Sequence, residues 1–131
     1  MKTRGHTDII DITSLTEKRL GETNLSIGTL TIFAVGSTAG ITTVEYEPGL
    51  VKDLQTAFEK IASVKDNYEH NIRWGDGNGY AHIRASLLKA NLTIPFIDGK
   101  LTLGTWQQIV FIDFDNRPRQ RKIVLQFMGE K

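Results

Sequence analysis

Thr105–Met128, TWQQIVFIDFDNRPRQRKIVLQFM, carries the reading of the fold. Val110-Phe111-Ile112 and Ile123-Val124-Leu125 are apolar at consecutive positions. Successive side chains of a strand point to opposite faces, so both segments are apolar on both pleat faces. Such a strand has to be covered on both sides. One face can meet helices and the other a second sheet or a neighbouring subunit, which points to an oligomer. The pattern predicts strands over 105–114 and 122–128, joined as a hairpin around Asp115-Asn116-Arg117-Pro118-Arg119-Gln120. Arg117, Arg119, Arg121 and Lys122 make that connection a basic tip, read as a solvated turn.

Upstream, Leu92–Ile97 and Lys100–Leu103 flank Asp98-Gly99, a two-residue hairpin turn. Pro95 marks an edge or a bulge there. Gly28–Val35 (GTLTIFAV) is β-branched and aromatic, as a strand should be. Gly36-Ser37-Thr38-Ala39-Gly40 interrupts it and Ile41–Tyr46 resumes an extended pattern. Asp8–Ile12 opens the chain as a strand; Thr13 or Ser14 caps a short helix through Leu20, which Gly21 stops. Glu47-Pro48-Gly49 starts the clearest helix, whose stripe of Leu50, Leu54, Ala57, Phe58 and Ile61 reads as core.

The 131 residues suit one domain spanning 1–131 with a hydrophobic core of its own. Sixteen basic and fifteen acidic residues leave a net charge of +1, which gives no global pull toward nucleic acid. The one basic run, at Arg117–Lys122, has no aromatic interleaving, so a nucleic-acid partner is not expected. With no cysteine, disulfides, thiolate metal sites and a cysteine nucleophile are excluded. Met1–His6 lacks an apolar signal region and no apolar run reaches membrane-spanning length. A cytoplasmic protein with no membrane partner is the expectation.

Chemistry concentrates in His70-Asn71-Ile72-Arg73-Trp74-Gly75-Asp76-Gly77-Asn78-Gly79-Tyr80-Ala81-His82. Two of the three histidines bracket an acid, an amide and three glycines, in a pattern that reads as a compact loop rather than a helix or strand. Imidazole, carboxylate and carboxamide are metal ligands or acid–base groups, and such groups gather at sites. A lone histidine is usually structural, and the eleven-residue spacing is not one that puts two ligands on one helical face. A short helix over His82–Leu88 is predicted next, with Asn78 as its cap, a role that competes with ligand contact. Arg73 and Arg84 flank the loop and could grip phosphate, with surface solvation as the plainer role. His6 reads as a solvated N-terminal residue.

Three segments carry a resemblance: GSTAGITTVEYEPGLVKDL (36–54), YEHNIRWGDGNGYAHIRASLL (68–88) and LTIPFIDGKLTLGTWQQIVFIDFDNRPRQRKIVLQ (92–126), with DIIDIT (8–13) in support. A histidine followed by D-G-N-G-x-x-H and then L-G-T-W-Q-Q resembles the YjbQ-like family, also called the secondary thiamine-phosphate synthase family. The resemblance implies a compact α+β fold, with antiparallel β-sheets packed as a sandwich and a few flanking helices. It also implies a homotrimer with sites in or near the subunit interfaces, and a polar pocket around a divalent metal. Carried over by position, His70, Asp76, Asn78 and His82 belong to that pocket, as do Gly104, Thr105, Trp106 and Gln107. Many members read H-T-[ST]-A where Gly36 stands here before Ser37-Thr38-Ala39, so one imidazole is missing. Glu45 or Glu47 could stand in as an oxygen ligand, although surface charge and a helix-dipole contact are the plainer roles.

What the resemblance implies about activity is the joining of a pyrimidine methyl diphosphate to a thiazole phosphate, giving thiamine phosphate and pyrophosphate. Loss of pyrophosphate needs a divalent cation or arginines to stabilise the leaving charge. In that scheme His70, His82 and Asp76 hold the metal, with Zn²⁺, Mn²⁺ or Fe²⁺ better suited than Mg²⁺. Asn78 orients the substrate or Asp76; Thr105 and Gln107 hydrogen-bond a small phosphorylated metabolite, and Trp106 stacks on its ring or packs at an interface. Ser86 either faces the same pocket or packs its helix. Two alternatives stand beside this scheme: a metal-dependent hydrolase of a small phosphorylated or acyl substrate, and a non-catalytic trimer that binds metal or metabolite.

Overall fold

A computed structural model describes all residues, Met1–Lys131. The elements run β1 (Lys2–Thr3), β2 (Asp8–Asp11), α1 (Thr13–Gly21), β3 (Ile27–Val35), β4 (Ala39–Val44), α2 (Pro48–Ile61), α3 (Glu69–Trp74), α4 (Gly79–Leu88), β5 (Asn91–Ile97), β6 (Lys100–Leu101), β7 (Gln108–Asp113), β8 (Arg119–Gln120) and β9 (Lys122–Glu130). Strands β2, β7 and β4 form an antiparallel sheet with β7 in the centre. A second antiparallel sheet runs β6-β5-β3-β9, and β1 pairs with β8. The architecture is α+β with antiparallel sheets, as the sequence resemblance implies.

β7 explains the layering. Ile109 and Phe111 face the four-stranded sheet and join Leu30, Ile32, Ala34, Ile94 and Phe96 in one core. Val110 and Ile112 face the other way and pack with Phe58, Ala62, Tyr80, Ala81 and Ala85 of the helical layer. Fully burying a side chain of this size contributes about 1.5–3 kcal/mol relative to exposure, so this strand anchors both cores. β9 differs. Ile123, Leu125 and Phe127 are half-buried against the first core, while Val124 and Met128 lie exposed on the outer face, with Phe33 opposite Val124.

The expected hairpin between residues 105–114 and 122–128 does not form. β7 pairs with β2 and β4, whereas β9 pairs along its whole length with β3, from Lys122 opposite Val35 to Glu130 opposite Ile27. The segment between them crosses from one sheet to the other. It is held by the β1–β8 pair and by reciprocal bonds between the Met1 amino group and the Arg121 carbonyl, and between the Arg121 N–H and the Met1 carbonyl, each 2.7 Å. The hairpin around Asp98-Gly99 does form, as β5–β6.

The starts of α1 and α2 are set by acids rather than hydroxyls. Asp11 accepts from the Thr13 N–H and hydroxyl, so α1 is capped at Ile12 and not by Thr13 or Ser14 side chains. Gly21 is the last residue of α1, and the left-handed turn falls at Asn24. Glu47 accepts from the Gly49 and Leu50 N–H groups at 2.7 and 2.8 Å, which fixes α2 where the sequence places it. The α2 stripe is core only in part. Contact runs along Val51, Leu54 and Phe58, leaving Ala57 and Ile61 exposed, because the helix meets the sheet along a face rotated from the predicted one. No helix is long and apolar enough to cross a membrane.

Candidate metal centre

Residues 70–82 form two helices and a short turn rather than one loop. His70 lies on α3 and His82 on α4. Gly75 ends α3 in the left-handed conformation (φ 66°), donating its N–H to the Asn71 carbonyl at 2.8 Å, a helix end that glycine adopts at least cost. The Asn71 side-chain oxygen accepts from the Gly79 N–H at 2.9 Å and so starts α4. Gly79 permits a close crossing: a Cβ there would sit 2.5 Å from Tyr68 Cβ. Helix α4 therefore starts at Gly79, three residues before the predicted start, and brings His82 over His70.

Asn78 precedes α4 but caps nothing with its side chain. It is buried, and its Oδ1 accepts from the Asn116 N–H at 2.9 Å. Its backbone N–H donates to Asp76 Oδ1 at 3.1 Å, and the Asn116 amide donates to the Asp76 carbonyl at 2.6 Å. The turn that carries Asp76 is thereby tied to the loop after β7. This corrects the capping role: Asn71 supplies it, which frees Asn78 to position Asp76.

The result is a cluster in which His70, Asp76 and His82 each offer one ligand atom, all within 4.8 Å of one another. The imidazole rings lie 4.4 Å apart between centroids, tilted by 46°. His70 Nδ1 is buried, lies 3.4 Å from Asp76 Oδ1 and has no hydrogen-bond partner. A tetrahedral ion at ~2.0–2.1 Å from its ligands sets them roughly 3.4 Å apart, so this donor set fits a small divalent ion with modest closure. Burial, together with the neighbouring His70, holds the His82 ring below the usual histidine pKa, while Asp76, Asp115 and the Ser37 backbone pull the other way. His82 is thus neutral at pH 7, the state a ligand requires.

Beneath the cluster lies a buried ionic network that the sequence gives only as a solvated tip. Arg121 donates from Nε and Nη2 to the two oxygens of Asp113, each at 2.7 Å, and from Nη2 to the Thr38 hydroxyl at 2.6 Å. Asp113 also accepts from the Thr3 hydroxyl at 2.6 Å. Asp115 accepts from Thr38 at 2.9 Å and lies 3.0 Å from Arg119 Nε. Burial would raise the Asp115 carboxyl, but hydrogen bonds from Thr38, Arg119 and Asn78 outweigh it and hold it low. The missed signal is an acid at the end of a two-sided apolar strand, which cannot stay buried without a partner.

The other expected site residues are not gathered here. Arg84 is buried and turned away, donating to Ala62 O, Thr7 Oγ1 and Glu59 and lying over the Tyr80 ring. It lines a cavity of about 300 Å³ with His6, Thr7 and Gln55, so it does not flank His70 and His82. The cause is helical spacing, which sets residue 84 on the face of Tyr80 and opposite His82. Arg73 is exposed, its guanidinium 5.8 Å from the Trp74 ring. Thr105, Trp106 and Gln107 precede β7, at the end opposite Asp113, and Trp106 is 74% exposed. Gln107 bonds Gly104 N and the Thr43 hydroxyl. Glu47 is spent on its cap and Glu45 is exposed; Ser86, by contrast, lines a cavity with His82, although its hydroxyl donates to the His82 carbonyl. His6 is exposed with φ 55°.

Residues 1–130 match the family described as UPF0047 protein YjbQ-like. The UPF0047 protein YugU of Bacillus subtilis is 36% identical over 131 residues, covering 98% of this chain and 96% of its own. A UPF0047 protein of Methanothermobacter thermautotrophicus is 35% identical over 130 residues, covering 99% and 89%. Among solved structures, a protein of unknown function from Sulfolobus solfataricus superposes with a TM-score of 0.91 at 30% identity, over 99% of this chain and 94% of that one. An uncharacterised family member from Clostridium acetobutylicum gives 0.89 at 36% identity, over 98% and 96%.

Proposed function

The chain belongs to the YjbQ-like UPF0047 family, and we propose that its His70–Asp76–His82 cluster is a divalent-metal centre at which a small phosphorylated substrate reacts. One observation carries this: His70 Nδ1, buried and without a hydrogen-bond partner, faces Asp76 and a second imidazole. Two imidazoles and one carboxylate favour Zn²⁺, Mn²⁺ or Fe²⁺ over Mg²⁺. When bound, such an ion polarises phosphoryl oxygens and stabilises a departing diphosphate.

The chain's own groups do the rest. His82 is kept neutral by burial and offers a lone pair at pH 7. Asn78 and Asn116 hold the Asp76 turn, which fixes the carboxylate opposite the rings. The specific reaction is the one the family resemblance implies, a transfer that joins a pyrimidine methyl carbon to a thiazole nitrogen. The C–O bond to diphosphate breaks with its electron pair leaving on pyrophosphate, and the thiazole nitrogen lone pair forms the new C–N bond. Thr105, Trp106 and Gln107 serve this site from a neighbouring chain of a homotrimer; the exposure of Trp106 and of the Phe33–Val124 face supports that arrangement.

Zinc- or manganese-loaded protein, given both substrates, is expected to release pyrophosphate and thiamine phosphate in equal amounts and to stop when the metal is chelated. Pyrophosphate without thiamine phosphate would replace the transferase with a hydrolase. Turnover unaffected by chelation would remove the metal from the account.

A further inference from the structure

We propose that the cavity beside His82 is an anion subsite, in which Lys89 holds a phosphoryl group of the substrate. The cavity measures about 260 Å³ and is lined by Gly36, Ser37, His82, Ser86 and Lys89 among others. His82 is shared with the metal cluster, so an anion seated here lies next to the proposed centre. The assignment rests on the metal-centre reading for the nature of the ligand.

Lys89 is the unexpected residue. Its backbone lies at φ 79°, ψ 160°, a region used almost only by glycine. That conformation is imposed from outside. The Lys89 N–H ends α4 by donating to the Ala85 carbonyl at 2.9 Å, and the Lys89 carbonyl accepts from the Ile41 N–H of β4 at 3.2 Å. Gly40 presses on the same carbonyl; a Cβ there would sit 2.6 Å from it. Glycine would meet these demands without strain, and glycine is the usual residue past a helix end. A cation near a helix C-terminus gains some dipole attraction, but less than this backbone strain costs. The Lys89 ammonium has no carboxylate partner in any ion pair. A strained lysine with a free charge on a cavity wall is explained by an anion that occupies the cavity.

A second cation stands on the Gly36 side. The Arg121 side chain is 9% exposed, and its Nη1 lies 2.8 Å from where a Gly36 Cβ would sit. Nε and Nη2 are spent on Asp113 and Thr38, while Nη1 donates to nothing in the chain. Gly36 lines the cavity and Arg121 does not, so the guanidinium stands behind Gly36 rather than in the cavity wall. The Lys89 ammonium is thus the cation that faces the cavity, and it favours a phosphoryl anion over a neutral group.

Titration calorimetry with inorganic phosphate on chelator-treated protein tests this directly. Wild type is expected to bind, and Lys89→Met to lose at least about tenfold in affinity. Lys89→Gly should lose as much and melt at a higher temperature than Lys89→Met, because it lacks the strained Cβ. Zinc titrated into the same samples reports separately on His70, Asp76 and His82, so failure of either assignment is distinguishable from failure of the other. A Lys89→Met protein that binds phosphate as wild type does, or a wild type that binds none, overturns the subsite.

Discussion

Arg121 holds two sheets and the floor of the candidate site with one guanidinium. Its two bonds to Asp113 are made out of water, so removing the cation leaves a buried carboxylate uncompensated. Arg121→Met is expected to cost about 3–5 kcal/mol in urea unfolding, with part of the loss recovered by Asp113→Asn in the same chain; a cost near zero would contradict the network. Acid should act on the same region. Burial tends to raise Asp8 and Asp115, yet hydrogen bonds from Arg4 to Asp8, and from Thr38, Arg119 and Asn78 to Asp115, hold both below the ordinary 3.8. Each binds its proton more tightly when unfolded. The stability they contribute is therefore complete above pH ~4 and lost as pH falls through the lowered folded values. Asp115→Asn should be less stable than wild type at pH 7 and lose less between pH 5 and pH 3; an unchanged pH slope would refute this. At this scale the histidines and Asp76 were legible as a cluster, because glycine-spaced polar groups advertise a turn. Arg84 was not, because its position opposite His82 is apparent only once the helix is known to start at Gly79.

Helices α3 and α4 bring His70 and His82 together by crossing at Gly79, where a Cβ would strike Tyr68. Gly79→Ala is expected to cost about 1–3 kcal/mol through overpacking. It should also lower zinc affinity by about tenfold, an effect of the size seen when groups that position a ligand are disturbed. Calorimetry on the variant checks both, and wild-type zinc affinity would separate the crossing from the site. Helix α3 escaped the sequence because six residues carry too little periodicity, and its neighbouring glycines read as loop. The mistaken hairpin has a different cause. Two apolar runs joined by a polar connection fit a hairpin or a change of sheet equally well. Pairing is decided by β2, β4 and β3, which lie far away in sequence. What the pattern did fix was that β7 is covered on both faces.

Across the whole molecule, the His cluster and the Thr105-Trp106-Gln107 segment sit near opposite ends of β7, a separation no single chain closes. If they serve one site, they meet between chains. Equilibrium sedimentation is expected to give three chains per particle, and Trp106→Ala to lower turnover while leaving zinc content unchanged; a monomer would end that part of the proposal. The resemblance carried the architecture because its motifs span nearly the whole chain, but it carried no ligand geometry. The most direct measurement is elemental analysis of wild type beside His70→Ala/His82→Ala after exposure to divalent ions. The account predicts about one transition metal per chain in wild type and none in the variant, with both proteins folded. Equal metal in the two, or none in either, would contradict it.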